Sequence, residues 1–144
     1  MFEPSRDQVR EFFFETWRKY CAGVPLAGLE TLGLEVILLH PEYHPVLVDL
    51  DKAKSKEYTD EANPFLHMSL HLALEEQLSI DQPAGIAQRF ATLLAKAGDR
   101  HDALHEAIEC LAEMVWRAQK EKTPPDAGFY LDCLERRGSP PSRG

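Results

Sequence analysis

Cysteine is scarce in this chain, and its cysteines lie far apart. There are three, Cys21, Cys110 and Cys133, and none belongs to a CxxC motif. Disulfide-rich scaffolds and cysteine-bound zinc sites place their cysteines at short, recurring spacings. We therefore expect neither kind of site, and we expect the three residues to be reduced, partly buried thiols.

Basic residues are also a minority. Lys and Arg number 16 against 24 Asp and Glu, which gives a formal net charge of −8. Because nothing concentrates positive charge, we expect neither a nucleic acid nor an anionic membrane surface as a partner. The chain has no apolar run near the ~18 residues of a membrane span, and its opening MFEPSRDQVR has no apolar signal core. These absences predict a cytoplasmic protein.

The pattern of a β-protein is missing too. We find no strand-like alternation, no glycine-rich phosphate loop and no repeat of solenoid length. Apolar residues instead recur every three or four positions, which is typical of amphipathic helices. A chain of 144 residues suits one domain. We predict an all-α helical bundle of about four to six helices over residues 1–137, followed by a disordered tail at 138–144.

Local signals place several helix ends. A capping residue that precedes a helix, or a glycine that follows one, marks such an end. Residues 46–62 are polar and predict a connecting loop or a lid. Helices are predicted to start at a capping box of Ser5 with Gln8, at Pro25, and at Asn63 with Pro64. One helix is predicted to stop at His40, and Gly98 with Asp99 is predicted to end one helix and begin the next.

Histidine is the residue whose distribution departs most from chance. All six histidines fall into pairs four residues apart: His40 with His44, His67 with His71, and His101 with His105. A random placement would give on the order of 0.2 such pairs. Three pairs therefore indicate a selected arrangement.

Two of these pairs are extended by glutamate at the same spacing. One set is His67, His71 and Glu75, and the other is His101, His105 and Glu109. Residues four apart drift by only ~40° around a helix, so each set projects from one narrow face. Two predicted helices therefore each present two imidazoles and a carboxylate.

These donors are typical of a metal centre in a helical bundle. Imidazole with carboxylate suits a transition metal. We expect a dinuclear site, with iron as the first choice of metal and zinc or manganese as alternatives. His40 and His44 both precede prolines, which disfavour the α conformation before them. The sequence HPEYHP thus predicts a corner or a short turn, and either histidine could supply a further ligand.

The motifs HPEYH, NPFLHMSLHLALEEQ and DRHDALH resemble a family of small bacterial proteins known only as a domain of unknown function, which implies no activity. The order of ligands is also similar to that of hemerythrin-like di-iron bundles. In that comparison, His71 with Glu75 matches the HxxxE element and His101 with His105 matches HxxxH, while His40 or His44 stands for the first histidine. No histidine follows His105, so the fourth element is absent.

Three functions compete at this point. The first is a transition-metal centre in a redox, dioxygen or metal-handling role. The second is a non-catalytic protein-interaction module with structural histidines, in which the aromatic face from Phe12 to Trp17 contacts a partner or a second copy of the chain. The third, a bis-histidine haem site, leaves the paired spacing unexplained. Whether the protein is an enzyme stays open.

Overall fold

Every regular secondary-structure element in the described part of the chain is a helix. The computed structural model covers residues 6–56 and 63–139, apart from the side chains of 53–55. Within these ranges there is no strand, which confirms the all-α class, but the predicted count of four to six helices was too low. The elements are α1 (Arg6–Ala22), α2 (Leu29–Leu38), a 3-10 helix (Pro41–Leu47), α3 (Leu50–Ser55), α4 (Pro64–Ile80), α5 (Ile86–Ala97), α6 (Arg100–Glu121) and α7 (Ala127–Gly138).

The two additional helices lie where we predicted a corner and a polar loop. The 3-10 helix occupies the HPEYHP corner. Helix α3 follows Asp49, whose side chain accepts the backbone N–H of Lys52 at 3.1 Å, so a local cap starts a helix in a segment with little apolar content. Helix α2 begins later than predicted, because Gly28 has a φ of 59° and the helix starts only after it.

Other predicted ends are confirmed. The Asn63 side chain accepts the backbone N–H groups of Phe65 and Leu66 at 3.0 and 3.2 Å, which fixes the start of α4. Asp99 accepts the N–H of Asp102 at 3.0 Å, after Gly98 has closed α5 with a φ of 78°. The predicted Ser5 cap, residues 57–62 of the predicted loop and residues 140–144 of the predicted tail lie outside the described residues.

The chain divides into two compact units, with the boundary between Leu72 and Ala73 inside α4. The prediction of one domain over residues 1–137 stays a prediction. In the first unit, helix α1 contacts α2, α3 and the 3-10 helix. Its aromatic residues Phe12, Phe14 and Trp17 are partly buried against the core. The core side chains of this unit are Phe13, Val36, Ile37, Leu47, Phe65, Met68 and Leu72.

The second unit packs α5, α6 and α7 against one another. A disulfide joins Cys110 on α6 to Cys133 on α7, and both residues are buried. The prediction of three reduced thiols was therefore wrong for this pair. It relied on separation along the chain, whereas the packing of α7 on α6 brings the two Cα atoms to 5.8 Å. Cys21 is exposed and unbonded.

The disulfide predicts a measurable share of stability. Breaking it opens a loop between residues 23 apart, which should lower the free energy of unfolding by about 2–4 kcal/mol. We expect urea denaturation, followed by circular dichroism, to show this loss on reduction of the wild type. The Cys110→Ala/Cys133→Ala double variant should be insensitive to reductant, and Cys21→Ala should behave as the wild type. A wild-type curve that reductant leaves unchanged would contradict the disulfide.

Candidate metal centre

Helix α4 carries the first two candidate ligands. His67 and His71 lie on successive turns after the Asn63 cap, so the helix itself sets their spacing. Their Nε2 atoms are 3.2 Å apart, and their ring centroids are 4.7 Å apart at 70°. His71 is fully buried, and His67 is partly buried. The Nε2 atoms of the predicted pair His67 and His71 are thus close enough to bind the same ion.

The third imidazole comes from the end of α2. His40 lies between Leu39 and Pro41 with a φ of −127° and a ψ of 66°, outside the helical region, as expected for a residue before proline. Its side chain is buried, and its Nε2 lies 3.2 Å from the Nε2 of His67. Its ring meets the His71 ring edge to face at 4.5 Å. Three imidazoles from two segments therefore converge.

The hydrogen bond made by the Nδ1 of His40 determines which of its ring nitrogens can bind a metal ion. Its Nδ1 lies 2.7 Å from the carbonyl oxygen of Val36. A carbonyl can only accept, so Nδ1 carries the proton and Nε2 carries the lone pair. Metal-binding histidines commonly donate their other N–H group to a backbone carbonyl in this way. The inward nitrogen of His40 is therefore an acceptor or a ligand.

Protons alone satisfy this arrangement poorly. With neutral rings, a single hydrogen on the Nε2 of His67 can align with only one of its two neighbours, His40 or His71. The other contact, which is also 3.2 Å long, then has no hydrogen aligned along it. A cation at the meeting point attracts all three lone pairs at once. The geometry therefore favours a positive charge at this place.

The spacing also fits the coordination of one ion. Two nitrogens 3.2 Å apart, each ~2.0–2.1 Å from an ion, subtend an angle of roughly 100–105° at that ion, close to the ~109° of a tetrahedral site. The ring nitrogens of His40, His67 and His71 lie within 4.8 Å of one another. The cluster could hold a transition-metal ion.

His44, the alternative to His40, is engaged elsewhere. Its Nε2 lies 3.0 Å from the carbonyl oxygen of Ile37 and so donates to it. Its ring packs on the indole of Trp17, with centroids 4.4 Å apart. These two interactions join the 3-10 helix to α2 and α1 and serve the packing of the first unit. Between the two residues, the structure brings His40 to the cluster.

The predicted carboxylates each have a cationic partner in the second unit. Glu75 is buried and receives both Nη atoms of Arg100, at 2.9 and 3.2 Å. Glu109 is exposed and pairs with Arg137 at 2.5 Å. A guanidinium on a carboxylate competes with a metal ion for the carboxylate oxygens. Their role as ligands stays a prediction.

The second predicted histidine pair is also formed. His101 and His105 lie on adjacent turns of α6, with ring centroids 4.3 Å apart. His101 is partly buried, and His105 is exposed. The helix therefore gives the two rings a shared face, as their spacing predicted.

Tyr43 is the residue of this site that the sequence analysis missed. Its ring stacks on His40 with centroids 5.3 Å apart and planes within 10°, and it meets the His67 ring at 6.1 Å. Burial raises the pKa of the Tyr43 phenol, and the neighbouring Glu42 carboxylate adds to this. Its place between the histidines of HPEYH was the available signal, but a tyrosine in a turn has no diagnostic spacing.

Comparison with known proteins assigns the chain to a family. A family model described as a domain of unknown function, DUF1841, matches residues 5–136. The chain belongs to the DUF1841 family. Neither a curated protein nor a solved structure matches it. Among the described helices of this DUF1841 protein, none combines the length and apolar character needed to cross a membrane.

The ring hydrogen bonds predict opposite tautomers for two histidines of this DUF1841 protein. His40 donates from Nδ1 to Val36, and His44 donates from Nε2 to Ile37. We expect long-range ¹H–¹⁵N correlation spectra of the metal-free protein to show one histidine of each kind, assigned through His40→Gln and His44→Gln variants. The same tautomer for both residues would contradict the geometry of the corner.

Proposed function

We propose that this DUF1841 protein binds one transition-metal ion through the Nε2 atoms of His40, His67 and His71. The observation that carries the proposal is the pair of 3.2 Å Nε2–Nε2 distances that meet at His67. Two of the three imidazoles are buried. One ion would bond to all three nitrogens at once, at a place shielded from water.

A fourth ligand that we propose from the sequence pattern is His105. His105 forms a pair with His101, and the two are four residues apart, as His67 and His71 are. A fourth imidazole would complete a tetrahedral set of nitrogen donors. A second ion, as in the predicted dinuclear centre, would also require Glu75 or Glu109, which are paired with arginines. A measured stoichiometry of one ion per chain would support the mononuclear site, and two ions per chain would support the dinuclear centre.

The donor atoms bear on the identity of the ion. Imidazole nitrogens suit zinc, copper, nickel and iron, whereas manganese prefers carboxylate and water oxygens. Iron was our first choice because it was expected to share imidazoles with carboxylates. A set made of imidazoles alone disfavours manganese, and the general order of affinities of divalent metals places nickel, copper and zinc ahead of iron. The role that we propose is metal handling or metal-dependent redox chemistry, in the cytoplasm.

The interaction module remains the alternative function. It relied on an aromatic face from Phe12 to Trp17, and these rings are partly buried against the core of the first unit. Less apolar surface is therefore left for a partner protein. Full folding and unchanged stability in a chelator would favour this alternative.

The central experiment compares two histidine variants. We expect elemental analysis of protein purified without added metal to give one ion per chain for the wild type. His71→Ala should lose the ion, because removing a primary ligand should cost more than the ~10–100-fold in affinity that is typical of outer-shell partners. His44→Ala, the matched control from the proline-flanked corner, should retain it.

Thermal unfolding gives an independent readout of the same variants. A ligand that binds only the folded state raises its stability. A chelator should therefore lower the melting temperature of the wild type and of His44→Ala, but not of His71→Ala. Equal metal content in both variants, or a wild type that chelation leaves unchanged, would contradict the proposed site.

A second comparison tests the further ligands. We expect His105→Ala to weaken Co²⁺ binding, and Glu109→Gln to leave it unchanged, because Arg137 already holds that carboxylate. Isothermal titration calorimetry measures the affinity of each variant for Co²⁺. Weaker binding by Glu109→Gln with unchanged binding by His105→Ala would instead support the carboxylate ligand set.

A further inference from the structure

We propose that Tyr43 is the positioning residue of this metal centre, and that its aromatic ring holds the imidazole of His40 in the plane that directs Nε2 to the ion. The inference rests on the proposed metal site and adds a residue that acts through a ligand. The two rings are nearly parallel, 10° apart, with centroids at 5.3 Å. Such a stack resists rotation of the imidazole out of this plane.

His40 needs such support more than its two neighbours do. His67 and His71 project from the rigid helix α4, so their directions follow from the helix. His40 lies outside any helix, between α2 and the 3-10 helix. Its Nδ1 is hydrogen-bonded to Val36, and its ring meets the rings of His67 and His71 edge to face. The parallel ring of Tyr43 adds contact over one face of the imidazole, which opposes tilting of the ring.

The backbone places Tyr43 for this task. Its N–H donates to the carbonyl of His40 at 2.9 Å, closing the first turn of the 3-10 helix. The N–H of His40 in turn donates to Ile37 at 3.0 Å. His40 and Tyr43 are therefore joined by a single hydrogen-bonded turn. Any shift of Tyr43 would be transmitted to His40 over a very short path.

The ring of Tyr43, rather than its hydroxyl, carries this role. Tyrosine binds metal ions through the phenolate oxygen. The contacts that the structure shows between Tyr43 and the histidines are made by its aromatic ring. Phenylalanine keeps the ring and lacks the hydroxyl. It therefore separates stacking from ligation.

The test uses three variants of the full chain. Tyr43→Phe keeps the stack, Tyr43→Leu removes it while leaving an apolar side chain against the core, and Tyr20→Leu is a matched control at an exposed tyrosine of α1. Co²⁺ titration gives affinity, and the visible d–d absorption of bound Co²⁺ reports coordination geometry. Circular dichroism checks that each variant is folded.

We expect Tyr43→Phe and Tyr20→Leu to match the wild type in affinity and spectrum. Tyr43→Leu should bind Co²⁺ ~10–100-fold more weakly, the usual cost of losing an outer-shell partner, and its d–d bands should change. A Tyr43→Leu variant that matches the wild type would overturn the inference. So would a Tyr43→Phe variant as impaired as Tyr43→Leu, since the hydroxyl would then be what matters.

A metal-free measurement distinguishes this inference from the proposed function. We expect long-range ¹H–¹⁵N spectra without metal to show the Nδ1–H tautomer of His40 in the wild type and in Tyr43→Phe, and averaged tautomers in Tyr43→Leu. If the wild type binds no Co²⁺, the proposed function fails and this spectrum still decides the role of Tyr43. An unchanged His40 signal in Tyr43→Leu would overturn the positioning role.

Discussion

The contact on which the site depends is the meeting of three imidazole nitrogens at His67. Each Nε2–Nε2 distance there is 3.2 Å, and the Nδ1 of His40 is committed to Val36. Neutral rings cannot align hydrogens along both contacts, because each ring has one proton to share. A cation resolves the conflict, and the ~2.0–2.1 Å bonds of a transition metal to imidazole fit the spacing. The proposed preference of the site for a metal ion follows from these two short contacts between ring nitrogens.

The first unit is built so that the three rings keep this arrangement. Phe65, Met68 and Leu72 fix the inner face of α4 in the core. Val36 and Ile37 anchor the end of α2, which is followed by His40. The same two residues of α2 supply the carbonyl oxygens that orient His40 and His44. Packing and ligand orientation therefore share residues. A change in this part of the core should disturb metal binding as well as stability.

The sequence predicted what depends on local spacing. The caps at Asn63 and Asp99 and the shared faces of His67 with His71 and of His101 with His105 follow from neighbours within one helix, and all are formed. It could not choose between His40 and His44, because the choice depends on which ring reaches α4 across the fold. Tyr43, the arginine partners of Glu75 and Glu109, and the Cys110–Cys133 bond likewise depend on contacts between segments distant in the chain.

The most direct test of the account is to locate the ion. Crystals of the metal-loaded protein, measured at the absorption edge of the bound metal, should show one anomalous peak ~2.0–2.2 Å from the Nε2 atoms of His40, His67 and His71. Such a peak would establish the three imidazoles as ligands. A peak at other residues, or no peak while the three rings keep their 3.2 Å contacts, would contradict it.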